Sequence, residues 1–140
     1  MSKELDKIVS FLGQHHVMSL ATTDFTQLDV CSLFYSYSKE KNSFVVASND
    51  ATKHIQNILQ NNNVSGNILL ETKTVGKIEG VQFKGRCKVL EDNELQALYF
   101  KTFPYALAML PQLWQIEIAH FKMTDNRLGF GKKIIIDFEL

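Results

Sequence analysis

Between Lys77 and Leu90 the chain alternates with a period of two. Val81, Phe83, Cys87 and Val89 fall on one side, and Gln82, Lys84, Arg86 and Lys88 on the other. Only extended backbone puts every second side chain on one face, so the stretch predicts a half-buried strand in a sheet with one wet face. Gly85 interrupts the pattern and is a candidate bulge. Six further segments are rich in β-branched and aromatic residues: Val17 to Thr23, Leu28 to Tyr37, Phe44 to Ala47, Val64 to Glu71, Leu113 to Lys122 and Phe130 to Phe138. In the fifth of these, Trp114, Ile116 and Ile118 share a face, whereas Ser65 and Gly66 weaken the start of the fourth.

Turn chemistry separates the segments at Thr23 to Thr26, Lys39 to Asn42, Asn61 to Asn63, and around Asn126, Arg127 and Gly129. Three stretches carry helical spacing instead. Leu5, Ile8, Val9 and Leu12 predict a helix from about Lys3 to Leu12 with Gly13 as its stop. Ile55, Ile58 and Leu59 predict a second, capped by Asp50 or Thr52. Asp92 opens a third with Leu95, Leu98 and Tyr99 on one side, and Pro104 and Pro111 then bound the apolar segment Tyr105 to Leu110. About seven locally connected strands with few helices predict a mainly β (α+β) fold, an antiparallel barrel with helices packed outside.

With 140 residues, 45% of them hydrophobic, the chain reads as one domain over 1–140 with a real core. Lys+Arg and Asp+Glu balance at 15 each, which excludes a global field for nucleic acid or an anionic membrane. Lys84, Arg86 and Lys88 lack interleaved aromatics for stacking bases and read as a solvated face. No apolar run approaches the roughly 20 residues of a membrane helix. Cys31 and Cys87 lack the spacing of a metal knuckle or redox pair, and the polar opening MSKELDK is unlike a signal sequence, so a soluble cytoplasmic protein with reduced thiols is expected.

Chemistry is sparse. No Gly-x-Ser-x-Gly elbow occurs, His15 and His16 would point to opposite faces of a strand, and His54 and His120 stand alone. The suggestive stretch is Ser43 to Gln60, where a buried strand passes through Ser48, Asn49 and Asp50 into a helix. The unpaired amides and dipole of that helix N-terminus, with Lys53 in its first turn, suit a phosphate; an ordinary strand-to-helix connection with a solvated lysine has the same pattern. The glycines of Gly129-Phe130-Gly131-Lys132-Lys133 allow close backbone approach, and its lysines could meet a phosphate or water.

The order of these elements resembles the FMN-binding split barrels related to pyridoxamine 5′-phosphate oxidase. The C-terminal run from Leu113-Trp114-Gln115 through Thr124-Asp125-Asn126-Arg127-Leu128-Gly129 to Lys133 is similar to the small YhbP-like members of that superfamily. The resemblance implies a six-stranded antiparallel split β-barrel with flanking helices, forming a homodimer with FMN at the subunit interface. It places the flavin against Cys31, Ser32 and Leu33 on the second strand and Val46, Ala47 and Ser48 at the end of the third. Thr52 and Lys53 stand where the oxidase meets the flavin phosphate, and Gln82 and Lys132 are candidates from across the interface.

The oxidase's own substrate clamp is missing. Its Tyr-Phe-x-x-Arg-x-x-x-Ser helix corresponds to Tyr99 through Leu107, with Phe103 and Leu107 in place of the arginine and serine. Ser36 replaces the lysine of the ring-lining strand, whose leading arginine becomes Cys31. Arg127 matches one C-terminal arginine by spacing, while the second falls on Gly131 beside Lys132. The resemblance therefore implies a flavin-dependent oxidoreductase for a small, mostly uncharged substrate, without classical pyridoxamine 5′-phosphate oxidase activity. The alternative is a non-enzymatic dimer that binds or senses flavin or haem. No side chain is assigned as catalytic, no metal is expected, and Cys31 is the thiol to examine for redox involvement.

Overall fold

The computed structural model describes residues 3–129 and 132–140. The elements run α1 (Lys3–Gln14), β1 (Val17–Thr23), β2 (Leu28–Ser38), β3 (Ser43–Ala47), α2 (Lys53–Gln60), β4 (Asn63–Leu69), β5 (Glu79–Val89), α3 (Asn93–Thr102), a 3-10 segment Pro104–Met109, β6 (Leu113–Asp125) and β7 (Lys133–Asp137). All pairings are antiparallel in the order β3-β2-β1-β4-β5-β6-β7, and β3 also pairs with β6. That extra pairing closes six strands into a barrel and leaves β7 outside on β6. The barrel expectation is met. The Phe130 to Phe138 strand is shorter than expected, and Phe130 and Gly131 lie outside the described residues.

β5 alternates as its sequence implies: Val81, Phe83 and Cys87 are buried, and Gln82, Lys84, Arg86 and Lys88 are exposed. Val89 departs from the pattern at 45% exposed, because the strand ends there at the barrel rim. The irregularity falls opposite Gly85, but the extra residue belongs to the partner strand: Lys84 faces His120, Gly85 faces Ile118, and Ala119 is skipped. The added residue reverses the parity of β6, so Trp114, Ile116 and Ile118 point inward before it and Phe121, Met123 and Asp125 after it. This is why the strand runs to Asp125 although its simple alternation ends near Ile118. Gly66 lies in mid-strand. A side chain there would meet the Phe83 ring, so the glycine makes room for packing and does not mark a weak start.

Inside the barrel Phe44, Phe83, Phe121 and Tyr35 interlock, with Phe44 and Phe83 centroids 4.8 Å apart. α1 adds Leu5, Ile8, Phe11 and Leu12 to the same core, and Gly13 does not stop it, since the helix continues to Gln14. Outside, Val45, Leu95, Tyr99 and Leu113 form a smaller cluster that seats α3, capped by Asp92, whose carboxylate accepts from the amides of Glu94 and Leu95. α2 turns its stripe differently from the expectation. Ile55 and Ile58 are buried, but Leu59 is 61% exposed. Asn57 takes the inward position instead, its side-chain amide donating to Thr22 Oγ1 at 3.0 Å and Asp29 Oδ2 at 2.9 Å.

The end of β6 is fixed by charge. The Asp125 side chain is fully buried and accepts from Arg127 at the backbone amide (2.9 Å), Nε (3.1 Å) and a terminal nitrogen (3.1 Å), with Lys7 Nζ at 3.6 Å. Arg127 also reaches Glu79 at 2.6 Å. Burial alone would push the Asp125 carboxyl up, but the Arg127 hydrogen bonds and charge outweigh it and hold it below the usual carboxylate range. A carboxyl lowered in the folded state contributes stability above its unfolded value, roughly 3.9, and loses it as pH falls through the lower folded value. Asp125→Asn is therefore expected to flatten the acid limb of the stability–pH curve, measured as urea midpoint against pH. An unchanged acid limb would contradict this account.

Candidate functional site

The residues after β3 are clamped on both sides. The Ser48 amide donates to the Gln112 carbonyl at 3.0 Å, and Trp114 Nε1 donates to the Ser48 carbonyl at 2.9 Å. The chain then turns through Asn49, whose side chain accepts from the Ala51 amide at 2.7 Å, and enters α2. Of the two proposed caps Thr52 serves: its hydroxyl accepts from the Ile55 amide at 3.4 Å and donates to the Asn49 carbonyl at 2.8 Å. Asp50 stays exposed.

A groove of about 600 Å³ opens beside this turn. Its apolar walls are Leu33 and Phe34 of β2, Ala47 of β3, and Ala106, Met109 and Leu110 after α3; Ser32, Ser48, Asn49, Asp50 and Gln112 supply polar atoms. Tyr99 closes one side. Phe103, standing where the oxidase carries arginine, packs 5.5 Å from Phe34, so this wall is apolar. Leu107 is more than half exposed.

Four of the sequence-derived residues, Ser32, Leu33, Ala47 and Ser48, thus share one groove. Thr52 and Lys53 stand at the adjoining start of α2, where among the described residues the backbone N–H groups of Lys53 and His54 have no hydrogen-bond partner. Lys53 is half-exposed and its ammonium lies 3.6 Å from Asp24 Oδ2. Asp24 is itself held by the β1–β2 turn: hydrogen bonds from the Thr26 side chain and the amides of Gln27 and Thr26, then the Lys53 charge, keep its carboxyl far below the usual range. An anion at α2 would compete with this carboxylate.

The other candidates lie apart. Val46 is buried, its side chain in the barrel core and its backbone between β2 and β6. Cys31 packs half-buried against the core, and burial raises its thiol pKa, which disfavours the reactive thiolate; Cys87 is pushed up to about 12. Gln82 is exposed on β5, in register with Asn67 of β4 and Lys122 of β6. That row continues through Ser19 of β1 to Ser32 of β2, three strand spacings or roughly 14 Å along the curved sheet. Lys132 is exposed, its amide donating to the Gly129 carbonyl at 3.2 Å. Arg127 is engaged by Asp125 and Glu79, and Gly131 lies outside the described residues.

Sequence reasoning missed His54. Its Nε2 lies 2.5 Å from Ser48 Oγ and 3.3 Å from Thr52 Oγ1, and burial lowers its pKa. The available signal was its place two residues after the cap, at the first turn of the helix. Of the remaining histidines, His120 pairs with Asp137 at 2.6 Å, and His15 and His16 lie near the α1–β1 connection; none lines the groove. Among the described residues no cluster of metal-ligating side chains occurs, and no helix is long and apolar enough to cross a membrane.

The groove sits beside an uncovered sheet face. Leu28, Val30 and Phe34 of β2 and Val17 of β1 are 81%, 72%, 58% and 47% exposed and lie on one side of the β1–β2 pair, Val17 opposite Phe34. Ser32, paired with Ser19, lies between Val30 and Phe34 on this face, and so many exposed large apolar side chains on one strand pair are unusual on a lone chain.

Comparison with known proteins agrees with this architecture. The family model described as pyridoxamine 5′-phosphate oxidase matches residues 5–120. The UPF0306 protein YhbP of Escherichia fergusonii is 34% identical over 134 residues, 94% of this chain and 91% of that protein. Among solved structures, a haem-binding protein from Mycobacterium smegmatis superposes with a TM-score of 0.80 at 14% identity, covering 98% of this chain and 59% of that one. A FAD-binding protein from Mesorhizobium loti gives 0.71 at 20% identity, over 88% of this chain and 92% of that one. With the barrel, the match over most of its length and a full-length relative in agreement, the chain belongs to the pyridoxamine 5′-phosphate oxidase family and, within it, to the UPF0306 group that includes YhbP.

Proposed function

We propose that this protein binds FMN as a homodimer and is a flavin-dependent oxidoreductase for a small, mostly uncharged substrate. The observation that carries the reading is the groove: it joins an apolar wall to the clamped end of β3 and to Asn49 and Asp50 of the turn that leads into the open N-terminus of α2. Leu33, Phe34 and Ala47 would hold a flat ring, Ser32 and Ser48 would bond its polar edge, and Thr52, Lys53 and the first amides of α2 would hold the phosphate. The flavin would supply the redox chemistry, and the chain orients it and excludes water. The exposed strip of Leu28, Val30, Phe34 and Val17 is the surface a second copy would cover, bringing Gln82 and Lys132 candidates to the site from the partner. Phe103 and Leu107 remove the charged clamp for a phosphate ester, so no turnover of pyridoxamine 5′-phosphate is expected.

The test is FMN titration of the purified protein, followed by absorbance and fluorescence. Lys53→Ala is expected to weaken binding about tenfold, the scale of one charge-assisted contact. Asp24→Asn, which removes the competing charge, is expected to strengthen it. If both variants match the wild type, the phosphate is not at α2, and if no FMN binds the reading fails. A Soret band with added haem and no flavin uptake would favour the haem-binding alternative, which the Mycobacterium smegmatis neighbour raises. In solution the particle should have twice the 16.0 kDa chain mass, and Val30→Asp should yield monomer. A monomeric wild type would overturn the dimer.

A further inference from the structure

Ser48 lines the groove and its backbone is held on both sides, Gln112 taking its amide and Trp114 its carbonyl. Behind it stands His54. Which way the Ser48 proton points depends on which histidine nitrogen carries hydrogen, and the neighbouring Thr52 decides this.

The Thr52 hydroxyl has one proton, and it goes to the Asn49 carbonyl at 2.8 Å. Toward His54 Nε2, 3.3 Å away, Thr52 Oγ1 can therefore only accept. A bare Nε2 would accept from Ser48 but face the lone pairs of Thr52, whereas Nε2–H has two oxygen acceptors, Ser48 at 2.5 Å and Thr52 at 3.3 Å. Among the described residues no partner accepts from Nδ1. Burial keeps the ring toward its neutral form, which holds a single N–H to place. With His54 donating to it, Ser48 Oγ is satisfied as an acceptor; Thr52 Oγ1, 3.4 Å from it, has its two lone pairs taken by the Ile55 amide and Nε2–H, so the Ser48 proton is left for the groove.

We propose that His54 is a positioning residue: in its Nε2–H tautomer it turns the Ser48 hydroxyl into a fixed hydrogen-bond donor for an acceptor atom of the ligand in the groove. The chemical class this selects is a planar ring with a carbonyl oxygen or unprotonated nitrogen at its edge. A ligand presenting only N–H or O–H there would meet a donor and be disfavoured. In this form the inference rests on the flavin reading for the identity of the ring, but not for the direction of the hydrogen bond.

Two measurements separate the inference from that reading. Nitrogen-15 NMR of the histidine rings in the protein without added ligand gives the tautomer directly, with His54→Gln identifying the signals. The Nε2–H form is expected, and a neutral Nδ1–H form would overturn the inference whether or not flavin binds. FMN affinity is then compared among variants. Ser48→Ala and His54→Ala should each weaken binding about tenfold and shift the bound flavin's visible band, while His54→Gln, whose side-chain amide can donate in place of Nε2–H, should restore much of both. A purely structural histidine would show no such rescue. FMN binding that ignores Ser48→Ala would overturn the donor role while leaving the flavin site standing. Absence of FMN binding would overturn the flavin reading, with the NMR tautomer still deciding the direction of the bond.

Discussion

Phe44→Ala is expected to destabilise the protein by about 3–5 kcal/mol, the range for emptying a large aromatic site in a close-packed core. Phe44 is completely buried on β3, the short strand that closes the barrel between β2 and β6. Its ring meets Phe83 at 4.8 Å, Tyr35 at 5.3 Å, Tyr37 at 5.4 Å and Phe121 at 6.3 Å. Removing it leaves a void between rings from three strands, β2, β5 and β6, whose paired backbones cannot collapse together. Each edge or tilted contact adds about 0.5–1.5 kcal/mol to the loss of buried area. Equilibrium urea unfolding at one fixed protein concentration measures the effect, with Phe25→Ala on the exposed β1–β2 turn as the reference expected to stay within about 0.5 kcal/mol. A loss below about 1.5 kcal/mol for Phe44→Ala would show that the aromatic cluster is not the keystone of closure.

Gly85→Ala tests a sign. In a strand, exchanging glycine for alanine reduces the freedom of the unfolded chain and by itself stabilises by about 0.4–1 kcal/mol. Here a Cβ would fall onto the carbonyl oxygen of Glu117 and within 3.1 Å of Ile116 Cγ2. The obstacle is backbone of the paired strand, held by the register on both sides of the bulge, so it cannot swing away as a side-chain tip would. The packing penalty wins, at about 3 kcal/mol, the upper part of the range for overpacking. The readout is the thermal midpoint and urea stability of Gly85→Ala against wild type. A variant as stable as the wild type would mean that the bulge at Ala119 can slide.

The two substitutions probe features of unequal legibility. Alternation in β5 is written in the residues, because a strand with one wet face must repeat every second position, and Val81, Phe83 and Cys87 do so. The bulge was visible only as an interrupting glycine. That the extra residue is Ala119, on β6, depends on which strand lies opposite, and pairing between residues more than thirty positions apart has no local signal. The same limit explains α2. Its spacing named Ile55, Ile58 and Leu59, but the stripe is rotated by Asn57 docking onto Thr22 and Asp29 of the β1–β2 hairpin, a polar anchor that periodicity counts as surface.

The candidate site divides in the same way. The turn after β3 and the cap at Thr52 could be read locally, since capping chemistry acts within four residues of chain. The partners of its charged groups could not. Lys53 meets Asp24 from another hairpin, Arg127 is drawn into the buried Asp125 cluster with Glu79, and Ser48 is fixed by Trp114 from β6. By itself the sequence determined which segments are strands, their local turns and the helix starts at Thr52 and Asp92, which follow from side-chain periodicity and backbone hydrogen-bonding chemistry over a few residues. Only the tertiary structure decided the closure of β3 on β6, the parity change at Ala119 and the docking of Asn57 on Thr22 and Asp29. Each of those depends on the distance between segments, which the order of residues does not contain.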